Sequence, residues 1–176
     1  MLKSKSLVKI AFLDRDGVIN SSKINGGYVG KIKDFKWIRG AKKALKYLKQ
    51  KKFKIVIVSN QSGIARGFFL VKDVELLHRY LKKELQKIKV KIDGIYYCPY
   101  HKDGIIKKFT RKSSLRKPDI GMFKLALKRW NIDRSKSFMI GDQKTDMEFA
   151  KKSKIKGFLF KSNNLYYFVK RKINIS

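Results

Sequence analysis

The sequence predicts an α/β fold, a Rossmann-like parallel sheet with helices on both faces and no large cap domain. Short apolar runs alternate along the chain with amphipathic stretches at helical spacing, which is typical of a parallel sheet. The first two runs both end in polar and glycine residues, and the interval between them is too short for an inserted domain. At 176 residues and 43% hydrophobic side chains, the chain is predicted to form one domain over residues 1–176.

Five apolar runs are predicted as strands. The first, residues 7–13, is apolar apart from Lys9 and stops at an Asp-Arg-Asp-Gly turn. The others have the same character and are residues 53–59, 92–98, 136–140 and 157–160.

The stretches between these runs are predicted as helices. Residues 40–51 and 73–89 carry apolar side chains on one face, and Asp73 is the predicted N-cap of the second helix. Three more helices are predicted at residues 118–130, 145–152 and 164–172. Two stretches lack periodicity: residues 21–35, predicted as a mobile flap, and residues 99–115, predicted as an irregular basic loop.

The net charge of +32 is the most unusual property of the composition, and it first suggests nucleic-acid binding. Only nine of the 45 basic residues are Arg, however, and the Lys residues are spread over every segment. Specific recognition of phosphates and bases tends to use the bidentate fork of Arg. We therefore expect no specific nucleic-acid partner, and we keep a basic nucleic-acid-associated protein without turnover as the alternative class.

Several features of the sequence predict the cellular compartment of the protein. No apolar run approaches the length of a membrane span. The first apolar run is broken by Lys9 and lacks a small-residue cleavage site, so no leader is expected. The only cysteine, Cys98, excludes an internal disulfide and fits a reducing compartment. The sequence therefore predicts a cytoplasmic protein with no membrane partner.

Two pairs of carboxylates follow predicted strands. Asp14 and Asp16 follow the first strand, and Asp142 and Asp146 follow the fourth. Residues two apart in an extended backbone project to one side, so the first pair can point at one position, where carboxylates repel unless a cation lies between them. Mg²⁺ prefers such oxygens together with phosphate, and ligands of parallel sheets bind at the carboxyl ends of the strands. The alternative for this motif taken alone is an ordinary solvated turn.

Four motifs in order resemble the haloacid dehalogenase superfamily of phosphotransferases: FLDRDGVIN, VSNQSGIARGFF, RKP and IGDQKTD. More narrowly, the chain is similar to the small phosphatases of this superfamily that act on sugar phosphates and histidinol phosphate. The resemblance implies Mg²⁺-dependent hydrolysis of a phosphomonoester through an aspartyl-phosphate. It implies a small phosphorylated sugar as substrate, a heptose bisphosphate used in surface polysaccharide, with histidinol phosphate as the alternative.

The resemblance also implies roles for individual residues. Asp14 would be the nucleophile and Asp16 the general acid and base. Mg²⁺ would be held by Asp14, the backbone carbonyl of Asp16, and Asp142. Substrate and phosphate would be bound by Ser59, Asn60, Gln61, Arg116, Lys117 and Tyr28.

Each role has a structural alternative. Ser59 and Asn60 are also residues that cap a turn, and Arg116 and Lys117 are also two solvated cations among many. For Tyr28 the alternative is packing. Asp146 is either a charge at a helix N-terminus or a support for the site, whereas His78 is predicted at the surface or in packing.

The sequence departs from the family pattern in three places. Many members carry a zinc loop, with Cys-x-His before it and Cys-x-Cys directly before Arg-Lys-Pro. Here Cys98 is the one matching ligand, His101 lies one residue past its place, and Ser113 and Leu115 replace the later cysteines. Four-coordinate zinc cannot be built from that set, so we expect no structural zinc. Gln143 stands where a Lys is common, and the flap is longer than expected.

Overall fold

The computed structural model describes residues 6–22 and 27–173. Strands and helices alternate in these residues. In chain order they are β1 (Ile10–Leu13), α1 (Ala41–Gln50), β2 (Lys54–Asn60), α2 (Val71–Gln86), β3 (Gly94–Cys98), α3 (Gly121–Arg129), β4 (Phe138–Gly141), α4 (Lys144–Lys152), β5 (Lys156–Leu159) and α5 (Leu165–Ile173). Among these described residues, no helix is both long and apolar enough to cross a bilayer.

All five strands pair in parallel, in the order β3-β2-β1-β4-β5. The chain builds outward from β1 to β3 and then returns to the other side of β1 for β4 and β5. Leu13 at the end of β1 is therefore in register with Ile57 of β2 and with Ile140 of β4. A reversal of strand order opens a crevice at the carboxyl ends of the strands, so the topology favours a ligand site beyond β1 and β4.

The central strands are buried on both sides. Successive side chains point to opposite faces of the sheet, so each strand contributes to two cores. One face packs against α1, α2 and α5 and includes Ala11, Leu13, Ile55 and Ile57. The other face packs against α3 and α4 and includes Ile10, Phe12, Val56 and Val58. The predicted α/β class, with helices on both faces of a parallel sheet, is confirmed.

All ten predicted elements are present, with ends displaced by up to three residues. The prediction of Asp73 as an N-cap is wrong, because α2 begins at Val71 and Leu70 precedes it. Asp73 lies in the first turn, where its carboxylate reaches back and accepts a hydrogen bond from the Leu70 N–H at 2.8 Å. The helix ends at Gln86, before Lys89 adopts a left-handed φ of 59°.

The segment between β1 and α1 leaves the sheet and returns to the same place. Asn20 and Trp37 form an antiparallel bridge. The Ile38 N–H donates to the Ile19 carbonyl at 3.0 Å, which closes the base of the flap. Residues 23–26 of the flap lie outside the described residues, so the mobility of the flap stays a prediction. Between β1 and β2 the described residues form only a 3-10 turn and α1, in agreement with the absence of a large cap domain.

Candidate active site

A cavity of about 340 Å³ lies beyond the carboxyl ends of β1, β2 and β4. The Asp14 N–H donates to the Ile140 carbonyl at 2.9 Å, so the residue after β1 is fixed beside the end of β4. The structure brings every predicted site residue to this cavity: Asp14, Asp16, Tyr28, Ser59, Asn60, Gln61, Arg116, Lys117 and Asp142 line it. Gln143 and Thr145 line it as well, and sequence reasoning did not predict Thr145.

Three carboxylates converge at one end of the cavity. Asp14, Asp142 and Asp146 each offer an oxygen within 4.8 Å of the others. Two glycines allow this approach. A Cβ on Gly17, whose φ is +85°, would lie 2.1 Å from Asp142 Oδ2, and a Cβ on Gly141 would lie 2.2 Å from the Asp146 carboxyl group. The glycine backbone of each loop, after β1 and after β4, therefore lies directly against a carboxylate side chain.

The charge in this cluster is only partly compensated. The pKa of Asp14 is raised to about 7, mainly by burial and also by the neighbouring carboxylates, although Lys117 opposes them. Burial likewise raises the pKa of Asp142. The Asp142 Oδ1 atom is buried and has no hydrogen-bond partner within the described ranges. Desolvated carboxylate oxygens of this kind fit a hard divalent cation such as Mg²⁺, so this donor set could hold one.

Lys117 lies under the cluster as a fully buried cation. Its Nζ is 2.6 Å from Asp146 Oδ1, 3.1 Å from Asp14 Oδ2 and 2.9 Å from the Val58 carbonyl. The contact with the Val58 carbonyl is a hydrogen bond, and the contacts with the two carboxylates are ion pairs. Lys117 is thus no solvated cation, because it joins two carboxylates that would otherwise repel each other.

Asn60 and Asp146 hold Lys117 in place. The Asn60 side chain donates to the Lys117 carbonyl at 3.1 Å and accepts from the Lys117 N–H at 3.0 Å. Asp146 is fully buried and also accepts from the Gln143 N–H at 3.1 Å at the start of α4. Asp146 is therefore both a charge at a helix N-terminus and a support for Lys117. The predicted phosphate contact of Asn60 stays a prediction.

The Asp16 carboxylate accepts hydrogen bonds from several side chains. Arg15 donates from Nε to Oδ1 and from Nη2 to Oδ2, both at 3.0 Å. Asn20 adds a hydrogen bond of 2.9 Å, and Gln61 adds one of 2.7 Å. Gln61 also donates to Ser59 Oγ at 2.8 Å, so one amide links the predicted acid and the predicted phosphate ligand. Sequence reasoning missed Arg15 and Asn20, although Arg15 stands out as an Arg between two Asp residues.

Arg116 and Tyr28 both line the cavity and lie near each other. Burial lowers the pKa of the Arg116 guanidinium from its ordinary value. Its Nη1 atom is buried and lacks a hydrogen-bond partner among the residues that the structure describes. Tyr28 packs edge-on against Phe68, with ring centroids 4.7 Å apart. The cavity is thus lined by a cationic side chain with one donor that has no partner among the described residues.

The loop at residues 99–115 has no zinc-type ligand set. Within residues 6–22 and 27–173, the only group of three or more potential metal ligands is the one at Asp14. Cys98 is buried, and its Sγ lies 3.7 Å from the Tyr100 carbonyl. Instead, the loop closes through a bridge between His101 and Thr110, and the Arg111 guanidinium lies 4.0 Å from the centre of the Tyr100 ring.

We expect the purified protein to contain no stoichiometric zinc, because Cys98 has too few partners to complete a tetrahedral site. Elemental analysis of protein expressed in zinc-supplemented medium should give well below one zinc per chain. Treatment with a chelator should leave its unfolding temperature in metal-free buffer unchanged. One tightly held zinc per chain would contradict the prediction.

The chain is similar to known phosphatases. The family model described as polynucleotide kinase 3 phosphatase matches residues 9–158. A curated D-glycero-beta-D-manno-heptose-1,7-bisphosphate 7-phosphatase from Rhodopseudomonas palustris is 40% identical over 161 residues, which are 92% of this chain and 88% of the relative.

Solved structures share the fold. A HAD-like phosphatase from Mesorhizobium loti superposes with a TM-score of 0.81 at 24% identity, over 97% of this chain and 88% of that one. The D,D-heptose 1,7-bisphosphate phosphatase from B. bronchiseptica, complexed with magnesium and phosphate, gives a TM-score of 0.78 at 25% identity, over 94% of this chain and 87% of that one. The chain therefore belongs to the haloacid dehalogenase-like phosphatases, in the family that the polynucleotide kinase 3 phosphatase model describes.

Proposed function

We propose that this phosphatase hydrolyses the 7-phosphate of D-glycero-D-manno-heptose 1,7-bisphosphate in a Mg²⁺-dependent reaction. The observation that carries the proposal is the relative of that name, which is 40% identical along 92% of the chain. The magnesium and phosphate in the B. bronchiseptica structure support the choice of cation. The acidic cluster at Asp14 supports the same choice.

Asp14 is the proposed nucleophile and attacks phosphorus to form an aspartyl-phosphate. The attacking carboxylate must be ionised, and burial opposes this because it raises the pKa of Asp14. Lys117, 3.1 Å away, supplies one compensating charge. Asp14, Asp142 and the backbone carbonyl of Asp16 would hold Mg²⁺. When bound, Mg²⁺ supplies positive charge that offsets repulsion between the nucleophile and the phosphate.

Asp16 is the proposed acid and base. It gives a proton to the leaving sugar oxygen and later removes one from the water that hydrolyses the aspartyl-phosphate. Ser59 is the proposed donor to the transferred phosphoryl group. Its Oγ accepts from Gln61, which leaves the hydroxyl hydrogen for a phosphate oxygen. The transferred group needs charge stabilisation above all, and we propose that Ser59 contributes a hydrogen bond and Lys117 a nearby positive charge.

The second phosphate is proposed to bind Arg116. A guanidinium with one buried and unused donor is costly unless an anion pairs with it, and phosphate matches its fork. Tyr28 lines the same cavity near Arg116 and is the proposed contact for the sugar. Histidinol phosphate would bring a cationic amine towards Arg116 instead. Charge therefore favours the bisphosphate.

We expect kcat/KM for the heptose bisphosphate to exceed that for histidinol phosphate, because only the former pairs an anion with Arg116. The gap should narrow as salt screens the basic surface. Phosphate release would be measured at low and high ionic strength, with and without Mg²⁺. A preference for histidinol phosphate would overturn the assignment of the substrate.

The same panel should include heptose 7-phosphate and a 3′-phosphorylated oligonucleotide. Arg116→Gln should lower kcat/KM for the bisphosphate on the order of 10- to 100-fold and leave the monophosphate nearly unchanged. Arg79→Gln makes the same charge change at an exposed position of α2 and is the matched control. Binding of the oligonucleotide without phosphate release from any member of the panel would favour the alternative class without turnover, which the net charge of +32 suggests.

A further inference from the structure

His78 lies on α2, beside the active site but outside its cavity. The side chain is buried, with 7% of the residue exposed. Its Nε2 is 3.1 Å from Arg15 Nη1, and its ring packs edge-on against Tyr97 with centroids 5.4 Å apart. The prediction that His78 lies at the surface or in packing is therefore incomplete, because the residue also makes a polar contact inside the protein.

The direction of this hydrogen bond follows from chemistry. A guanidinium group has only donors, so Nε2 of His78 must be the acceptor. The imidazole is then neutral and carries its proton on Nδ1. Burial and the nearby Arg15 charge lower the pKa of His78 to about 3, in keeping with the neutral form. His78 thus offers Arg15 a fixed lone pair at neutral pH.

We propose that His78 is a positioning residue for the reaction. It holds Arg15 in the orientation in which the guanidinium donates two hydrogen bonds to Asp16. The inference rests on the proposed role of Asp16 as acid and base. Arg15 is fully buried, and its Nε and Nη2 atoms bind Asp16, with Nη2 also donating to Gln61 and the Val29 carbonyl. His78 is the partner of Nη1 in the described part of the chain.

Loss of that acceptor would affect Asp16 indirectly, through Arg15. A buried Nη1 without a partner carries a desolvation penalty, which Arg15 can reduce by rotating towards another acceptor. Rotation of the planar guanidinium would break its two parallel hydrogen bonds to Asp16. Because proton transfer requires the acid within hydrogen-bond reach of the leaving oxygen, a small displacement would slow the step that needs the proton.

Two variants of similar length separate this role from packing. His78→Met removes the acceptor, whereas His78→Gln places an amide oxygen near the position of Nε2. In the Mg²⁺-loaded full chain, His78→Met should lower kcat about tenfold on the heptose bisphosphate and less than about twofold on p-nitrophenyl phosphate, whose leaving group needs no proton. The KM values should be unchanged, and His78→Gln should recover kcat to within about threefold of wild type.

Equal losses on the two substrates, no loss for His78→Met, or a His78→Gln variant as slow as His78→Met would overturn the inference. Thermal unfolding would first show that each variant is folded. If His78→Met is not, His78→Phe keeps a ring against Tyr97, lacks the acceptor, and should give the same split.

A double-mutant cycle with Asp16→Asn tests whether His78 acts through Asp16. Asp16→Asn alone should be far slower on the bisphosphate than on p-nitrophenyl phosphate, and His78→Met should then cost nothing more. Additive losses would overturn the inference and leave the proposed function intact. Equal losses for Asp16→Asn on both substrates would overturn the acid role of Asp16, and the inference with it.

Discussion

Asp14→Asn is expected to abolish turnover while the protein stays folded. An amide keeps the shape of the carboxylate but cannot attack phosphorus, so phosphate release should fall by at least about 10⁴-fold. Asp119→Asn makes the same chemical change at an exposed position, in a surface pair with Lys152, and should leave activity unchanged. Appreciable phosphatase activity in Asp14→Asn would contradict the assignment of the nucleophile.

The same variant should be at least as stable as wild type in metal-free buffer at pH 8. The pKa of Asp14 in the folded protein is about 7, above its ordinary value of 3.8, so ionising this buried group costs folding free energy. Wild-type stability should therefore fall as the pH rises between these two values, and Asp14→Asn should lack that contribution. Thermal unfolding at several pH values, with and without Mg²⁺, would measure the difference.

Lys117→Met is expected to destabilise the fold as well as to stop the reaction. Lys117 is the buried cation between Asp14 and Asp146, at 3.1 and 2.6 Å. Removing one partner of a buried ion pair leaves charge uncompensated and costs about 3–5 kcal/mol. Urea unfolding in metal-free buffer would give the loss in the free energy of unfolding.

Lys152→Met is the matched control for that variant. Lys152 pairs with Asp119 at 3.2 Å, but about half of each side chain is exposed. Exposed pairs of this kind contribute less than about 1 kcal/mol. If Lys117→Met and Lys152→Met lost equal stability, Lys117 would not act as the compensating charge. Adding Asp146→Asn to Lys117→Met should restore part of the stability, because it removes one of the two stranded carboxylates.

The elements could be predicted because their periodicities are physical. Side chains of a central strand are buried on both faces and give continuous apolar runs, whereas helices repeat their apolar positions every three or four residues. Element ends were less predictable, since they depend on tertiary contacts. Val8 belongs to the first apolar run but makes only an isolated bridge to Ile132. The start of α2 was misplaced because Asp73 acts from inside the first turn.

The residues of the cavity could be predicted from motifs, but their connections could not. Asp14 and Asp142 follow strands that the topology places side by side, so their convergence could be inferred. The contact between Arg15 and His78 joins residues 63 apart in the chain and depends on how α2 packs. No local pattern marks His78, which occupies an inward position of an amphipathic helix. The pairing of Lys117 with Asp146 likewise joins residues that are distant in the chain and depends on tertiary packing.

The attachment of Asp14 to β1 has a consequence for local unfolding and for sequence change. All four residues of β1 are fully inaccessible, and the strand is flanked by β2 and β4 and covered on both faces. Segments of this kind open only at free energies close to that of global unfolding, whereas loops and sheet edges open far more often. Fluctuations of the segments that carry Arg116 and Tyr28 should therefore leave the nucleophile in place. Mutations in those segments can then alter which sugar binds without disturbing the atoms that break the phosphate ester.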